Sequence, residues 1–419
     1  MTSVRNHRLP LSGNKWFIVF IALLAGACSP KVRTVPTTNA PKTEKPTTKP
    51  IKTAEKPAVV KEAKTSVVSL ILPLGLDQLT PGVGYNAAKL KKANMSVEYY
   101  QGFKLALDSL ASSLGANFKL QIYDSKDDAA QAHSLGFNPQ IKNGDLIFGP
   151  IFPEDIKSFT SLLTSTRKPI VSPLSPASPT VFRNQNLVTM TPPLEYHAKG
   201  AAAYITNTLR PKKVFILNSG FSDEKLYTAP FKRTIDSLSK RKIQVVNFTV
   251  VRGNLTPLIA QLNNKVQNIF LVPSTKQAFL MVTLHSLDTL ANKFPVTLFG
   301  HPNWEKFAFL KANLLQRLKT HITSSDKVDY KSAATNAFIR SYRKAYRAEP
   351  TDFAMKGFDQ GLYFGQLLAR EDDSYRKPEQ NDFTGLTNTY HFEKKAGLGW
   401  INTHVDILKY DNFELKQAQ

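Results

Sequence analysis

Few side chains in this 419-residue sequence are placed to do binding chemistry, and fewer to do covalent chemistry. Ser172, Ser175 and Ser178 are interleaved with Pro173, Pro176 and Pro179 directly after the apolar pair Ile170 and Val171. Serine hydroxyls suit a carboxylate or a sugar hydroxyl equally well, and among prolines they also form turns. The run Gly300-His301-Pro302-Asn303-Trp304 brings an imidazole and an indole close to the end of another apolar stretch. An aromatic face there stacks on a sugar or an apolar ligand; the alternative is that Trp304 plugs an edge of the fold and His301 caps a helix. Catalytic patterns are missing from the sequence: it holds no G-x-S-x-G elbow, HExxH, phosphate loop or GxGxxG. The eight histidines are scattered without ligand-like spacing, so no metal, no cofactor and no catalytic residue is expected. The pairs Asp127-Asp128 and Asp372-Asp373 read as solvated surface, and the first is well placed to open a helix.

Cys28 is the only cysteine, which excludes an intramolecular disulfide and any multi-cysteine metal site. Its context gives it another role. Arg5, Arg8 and Lys15 precede a short apolar run at residues 16–24, and Ala25-Gly26-Ala27 lead directly into Cys28. Basic, apolar and small residues in that order describe an export signal. Small residues before a cysteine resemble a bacterial lipobox, with Ala25 in place of the usual leucine. Residues 1–28 are therefore expected to be a lipoprotein signal peptide with Cys28 as the lipidation site; the alternative is an ordinary leader with an incidental cysteine. Residues 29–65 carry six prolines, many Lys and Thr, and almost no large apolar side chains, so they cannot pack a core. They read as a disordered tether reaching at most roughly 115 Å. No acidic cluster follows Cys28, which favours a periplasm-facing attachment in a bacterial envelope.

The net charge of +23 invites a nucleic-acid reading, but leader and tether together hold nine of those charges and the rest spread thinly over some 350 residues. With no nucleic-acid motif, a basic soluble surface, or attraction to anionic lipid and wall polymers, explains the charge better. No nucleic-acid partner is expected.

The elements that position the serines come next. Residues 145–180 hold two short apolar runs, each ending in a Gly/Pro/Ser-rich loop, with helical spacing at 156, 159, 162 and 163 between them. That is a β-α-β unit, and in open α/β sheets ligands bind outside the carboxyl ends of such strands. Residues 66–74 predict a buried strand before it, and residues 75–94 a polar loop able to overhang the cleft as a flap. Ser96 then reads as the cap of a helix ending at Gly115, followed by a strand at 118–123 and a helix at 127–135. From residue 190 the pattern restarts. Helices are expected at 196–209, 223–239, 255–262 and 276–291, alternating with strands at 213–217, 243–250, 269–272 and 296–299. An extended crossover is expected at 320–330, helices at 333–346 and 352–370, and terminal strands over 383–415. Two β-α series joined near residue 190 predict two doubly wound, Rossmann-like lobes.

This order resembles the type 1 periplasmic binding protein fold, in particular its Leu/Ile/Val-binding-like branch, the substrate-binding lipoproteins of branched-chain amino acid ABC transporters. The resemblance spans 66 to about 415. It rests on Tyr100-Gln-Gly-Phe-Lys-Leu-Ala106, Phe148-Gly-Pro150, Pro169-Ile-Val-Ser-Pro173, the Phe338, Tyr342, Tyr346, Pro350 series and Gly357-Phe358-Asp359. It implies an α/β protein of two lobes joined by hinge crossings: lobe one from 66–190 and 325–382, lobe two from 191–324 and 383–419. In such proteins a ligand enters between the lobes and closure buries it. Its carboxylate meets a hydroxyl and backbone N–H groups, which implies Ser172, Ser175, Ser178 and the segment starting at Gly149. Its ammonium meets an acid on lobe two. The matching strand ends here carry Ser219-Gly220-Phe221, Ser274-Thr275-Lys276 and the His301/Trp304 run, none of them acidic. An α-amino acid held in the usual manner is therefore not expected.

The favoured reading is a lipid-anchored periplasmic protein that captures a small molecule between two lobes and delivers it to an ABC permease. The other is an envelope scaffold with a degenerate cleft that contacts a cell-wall enzyme or peptidoglycan. Some relatives of this fold regulate peptidoglycan synthases, and the long basic tether keeps that second reading open.

Overall fold

The computed structural model describes residues 64–78, 86–370 and 372–418. The expected leader with Cys28, nearly all of the tether, and residues 79–85 of the expected flap lie outside the described residues. A first series of elements runs β1 (Thr65–Leu72), α1 (Ala87–Leu114), β2 (Asn117–Asp124), α2 (Ala129–Leu135), α3 (Pro139–Asn143), β3 (Leu146–Phe148), α4 (Pro153–Thr160), β4 (Ile170–Ser172) and β5 (Leu187–Thr189). The second runs α5 (Leu194–Tyr204), β6 (Lys213–Asn218), α6 (Lys225–Leu238), β7 (Gln244–Thr249), β8 (Asn268–Val272), α7 (Gln277–Ala291), β9 (Val296–Gly300), α8 (Ala312–Arg317) and β10 (His321–Ser324). Two helices follow, α9 (Ala333–Tyr346) and α10 (Asp352–Ala369). The chain ends in β11 (Phe383–Thr384), β12 (Thr389–Tyr390), β13 (Phe392–Lys395), β14 (Gly399–Asn402), β15 (Asp406–Asp411) and β16 (Glu414–Gln417).

Two seven-stranded sheets result, ordered β13-β14-β5-β4-β3-β1-β2 and β16-β15-β10-β9-β8-β6-β7. The inner pairs are parallel, and antiparallel pairs occur only where β13, β15 and β16 join. Strand β3 shows why its residues are all apolar. Leu146 and Phe148 pack towards α1 and α10, while Ile147 packs with Ala132, Ile156 and Phe159 from α2 and α4. A parallel strand covered by helices on both faces has no polar side to show. Helices α1 and α10 approach each other through glycine: a Cβ at Gly102 would lie 1.8 Å from Ala354 O, and one at Gly357 2.1 Å from Tyr99 O.

Three segments cross between the lobes: residues 190–193 after β5, 325–332 after β10, and 403–405 between β14 and β15. Asn402 ties two of them. Its Nδ2 donates to Met190 O at 3.1 Å and its Oδ1 accepts from His404 N at 3.2 Å.

The structure corrects some expectations. Residues 383–402 were expected in the second lobe, yet β14 pairs with β5 (Trp400 against Val188, Ile401 against Thr189) and extends the first sheet. Only β15 and β16 join the second, with Ile407 opposite Thr323. Alternation marks a strand, but which sheet has an open edge for it is a property of the assembled lobes. Helix α1 begins at Ala87, capped by Asn86 Oδ1 on Ala88 N at 2.9 Å. Ser96 is thus an interior residue, its Oγ within reach of Lys92 O (2.9 Å) and Pro73 O (3.1 Å). The first two turns are lysine-rich and lack an apolar stripe, which is why the sequence reads there as loop. The helix expected at 255–262 is a 3₁₀ turn over Thr256–Gln261, and α10 is capped by Thr351. Asp128 does open α2, its Oδ1 accepting from Gln131 N at 2.8 Å.

Candidate ligand-binding cleft

The carboxyl ends of the two sheets and the crossing segments enclose a cleft of about 770 Å³. The first lobe contributes Leu174 and Pro176 from the loop after β4, and Asp352, Phe353 and Lys356 from the start of α10. The loop after β4 is fixed from behind by Gln360: Tyr99 Oη donates to Gln360 Oε1 at 2.7 Å, and Gln360 Nε2 donates to Pro173 O at 2.9 Å. The second lobe contributes the ends of β8, β9 and β10 with the first turn of α6.

Two histidines sit at this boundary. His197, on α5, places Nδ1 3.0 Å from Thr323 Oγ1 at the end of β10. His301 caps the short 3₁₀ helix Pro302–Lys306, its Nδ1 accepting from Asn303 N at 3.1 Å. Burial pushes both imidazoles down to about 4, so they are uncharged at neutral pH. An Nδ1 that accepts leaves His301 in the tautomer with Nε2–H as its donor. The buried Tyr227 ring lies 5.9 Å from that of His301, and burial raises its hydroxyl well above the ordinary value.

Of the residues singled out from the sequence, His301 alone lines the cleft. Trp304 is 1% exposed and donates Nε1–H to Ser274 O at 2.9 Å, so its indole belongs to the second lobe's core and offers no stacking face. Ser274 Oγ accepts from Lys276 N at 3.3 Å and closes a turn. Ser219 donates to Glu224, Oγ to Oε1 at 2.6 Å and N–H to Oε2 at 2.9 Å. Gly149, at φ +92° before a cis Pro150, has its N–H bonded to Val171 O at 2.8 Å. Ser172 and Ser175 are buried, and Ser178 Oγ lies 3.0 Å from Glu195 Oε1. The donors implied for a ligand carboxylate are therefore enclosed or already engaged.

The strand-end residues carry no acid, as read from the sequence, but acids do line the cleft beyond them. Asp223, Glu224, Glu305 and Asp326 line the cleft from the second lobe and its crossing segment, and Asp352 faces them from α10. They lie a few residues beyond the strand ends, on the first turn of the next helix or in a crossing, where inspection of the strand-end residues does not reach. Asp223 and Glu224 had a signal of their own, as acids at the start of an expected helix. Asp326 and Lys356 had none; folding brings them to 2.7 Å. Glu305 is open to the cleft, but the walls beside it desolvate its carboxyl, and Asp326 and Asp352 add like charge; together these raise it. Among the described residues no group of His, Cys, Asp and Glu is arranged to hold a metal ion. The arrangement suits binding of a polar molecule by uncharged donors and carboxylates.

No family model matches the chain, and no curated protein matches it. Solved structures do. A structure from Rhodospirillum rubrum, assigned to a branched-chain amino acid ABC transporter, aligns with TM-score 0.60 at 13% identity, over 85% of this chain and all of that one. A branched-chain amino acid ABC transporter periplasmic ligand-binding protein from Burkholderia xenovorans aligns with TM-score 0.55 at 12% identity, over 85% and 95%. An ABC transporter substrate-binding protein from Desulfitobacterium hafniense, solved in complex with Leu, aligns with TM-score 0.54 at 14% identity, over 85% and 100%. With two seven-stranded sheets flanked by helices and this likeness to solved structures, the chain has the two-lobed type 1 periplasmic binding protein fold.

Proposed function

We propose that this chain is a solute-binding protein that captures a small molecule between its lobes, without catalysing a reaction. The observation that carries the reading is the cleft itself: about 770 Å³, walled by both lobes and their crossings, with uncharged His197 and His301 at its boundary. Ligand pockets have this size and this mix of apolar wall with a few polar groups. A degenerate cleft, which the scaffold reading requires, fits that geometry poorly. In this proposal Cys28 carries a lipid that holds the protein at the periplasmic side of a bacterial envelope, the tether lets the lobes reach outward, and an ABC permease receives the solute. The serines 172, 175 and 178 support the wall and do not contact the ligand. Thermal unfolding of the full chain with amino acids, amines, peptides and sugars tests the reading. Stabilisation by one class, lost in His301→Phe, is expected. A chain that responds to none and is retained on wall sacculi speaks for the scaffold.

A further inference from the structure

We infer that the second lobe docks on an anionic lipid surface through the rim at the amino ends of β6, β7 and β8, the end of the strands opposite the cleft. Residues 210–213 lead into β6 with Arg210, Lys212 and Lys213, and residues 240–243 lead into β7 with Lys240, Arg241 and Lys242. Lys265 precedes β8. The three loops are neighbours because their strands are. Gln244 N–H donates to Lys212 O at 3.0 Å, Lys213 lies opposite Gln244, and β8 flanks β6 on its other side with Ile269 against Val214. All of these cations but Lys213 are exposed, and Lys213 Nζ reaches the neutral Gln261 Oε1 at 3.4 Å. Among the described residues none of them is in an ion pair. The loops themselves hold no acid; the nearest in sequence, Asp236, sits a turn back on α6.

This concentration of charge is local. At the amino ends of the first sheet Lys64 faces Asp145 at 3.8 Å, and the cleft edge carries five carboxylates against two lysines. Unpaired cations on three adjoining loops repel one another, and a dense anionic surface relieves them. Two exposed apolar side chains on the same rim select the kind of anion. Leu238, at the end of α6, is 47% exposed, and Val266, beside Lys265, is 59% exposed. A bilayer interface receives both: headgroup phosphates meet Lys and Arg, while isolated apolar side chains enter between the headgroups. A nucleic-acid strand or a wall polymer offers anions without an apolar layer, and these loops carry no aromatic side chain on which bases would stack. The cleft lies at the carboxyl ends of the same sheet, so the docked lobe turns it away from the lipid and open to solute.

Amide hydrogen exchange of the full chain tests this, on phosphatidylcholine vesicles with and without about 30% phosphatidylglycerol in about 0.1 M salt. On the anionic vesicles exchange is expected to slow about threefold or more in residues 209–213 and 238–243, and to stay unchanged in residues 117–119 at the first lobe's amino edge. The quadruple variant Lys212→Gln/Lys240→Asn/Arg241→Asn/Lys242→Gln replaces exposed side chains only and keeps leader and tether, so the chain still reaches the vesicle. Its rim is expected to lose the protection, and its urea unfolding in the absence of vesicles to match the parent's. Unslowed exchange at the rim on the anionic vesicles overturns the proposal. Equal slowing on phosphatidylcholine alone, or protection that survives in the variant, overturns it as well. Slowing at the rim by soluble heparin but by neither vesicle overturns the lipid assignment and gives the rim to a polymer.

Discussion

Lys356 on α10 and Asp326 in the crossing after β10 meet at 2.7 Å, joining the first lobe to a segment that leads out of the second. Both are partly shielded, with side chains 18% and 32% exposed. The pair therefore favours the interlobe arrangement seen here. Lys356→Met is expected to lower unfolding stability by about 1 kcal/mol at most, because solvent still screens the pair. Its larger effect falls on closure: small-angle scattering is expected to show a broader spread of lobe separations in the variant. An unchanged scattering profile would remove the pair from the hinge.

Packing of α1 on α10 is set by Gly357, whose added Cβ would sit 2.1 Å from Tyr99 O. Gly357→Ala is expected to force the helices apart and cost about 1–3 kcal/mol, read from urea unfolding. Tyr99 holds Gln360 and, through it, the loop after β4, so ligand affinity is expected to fall along with stability.

Acid should loosen this protein. Burial holds His197, His301 and His321 at about 4, below the ordinary 6.5, so between those values the unfolded chain binds protons that the native state refuses. Their stabilisation is complete above 6.5 and drains away as pH falls towards 4. Burial acts oppositely on Asp155 and Asp359, both raised to about 6 from 3.8: their share is present at low pH and lost as pH rises through 6. Glu305 is raised like those two carboxylates, whereas Asp406, held down by its bond from His404, loses stabilisation on acidification as the histidines do; a net loss of stability from pH 6 to 4 is expected. Urea unfolding at pH 6 and pH 4.5 measures it, and His321→Gln is expected to bring the slope towards zero.

Trp304→Phe removes the bond from Nε1 to Ser274 O in the buried second core and strands that carbonyl. A loss of about 1–3 kcal/mol is expected. Since the indole lies in the core, ligand affinity should stay within twofold of the parent; a larger drop would return Trp304 to the site.

Anchoring is tested at Cys28. Cys28→Ser is expected to move the protein from membrane to soluble fractions, and unchanged membrane retention would count against a lipid on that residue.

The sequence by itself determined the layers and the place of the cleft. Runs such as Leu146–Phe148 are apolar on every residue because helices cover both faces, and a Gly/Pro/Ser loop after such a run marks a strand's carboxyl end. These are local patterns, readable one stretch at a time. His301 was legible for the same reason, directly after the strand run Val296–Gly300. What only the tertiary structure decided is which side chains face each other. Ser172 and Trp304 have site chemistry but point into packed interior, while Glu305, Asp326 and Asp352 lie 21 and 26 residues apart in sequence and share one space. Even β13 and β14 chose their sheet by an open edge that exists only once β5 is in place. Burial and charge convergence depend on distance through space, and chain separation carries almost no information about that once the hinge crossings have folded the two lobes together.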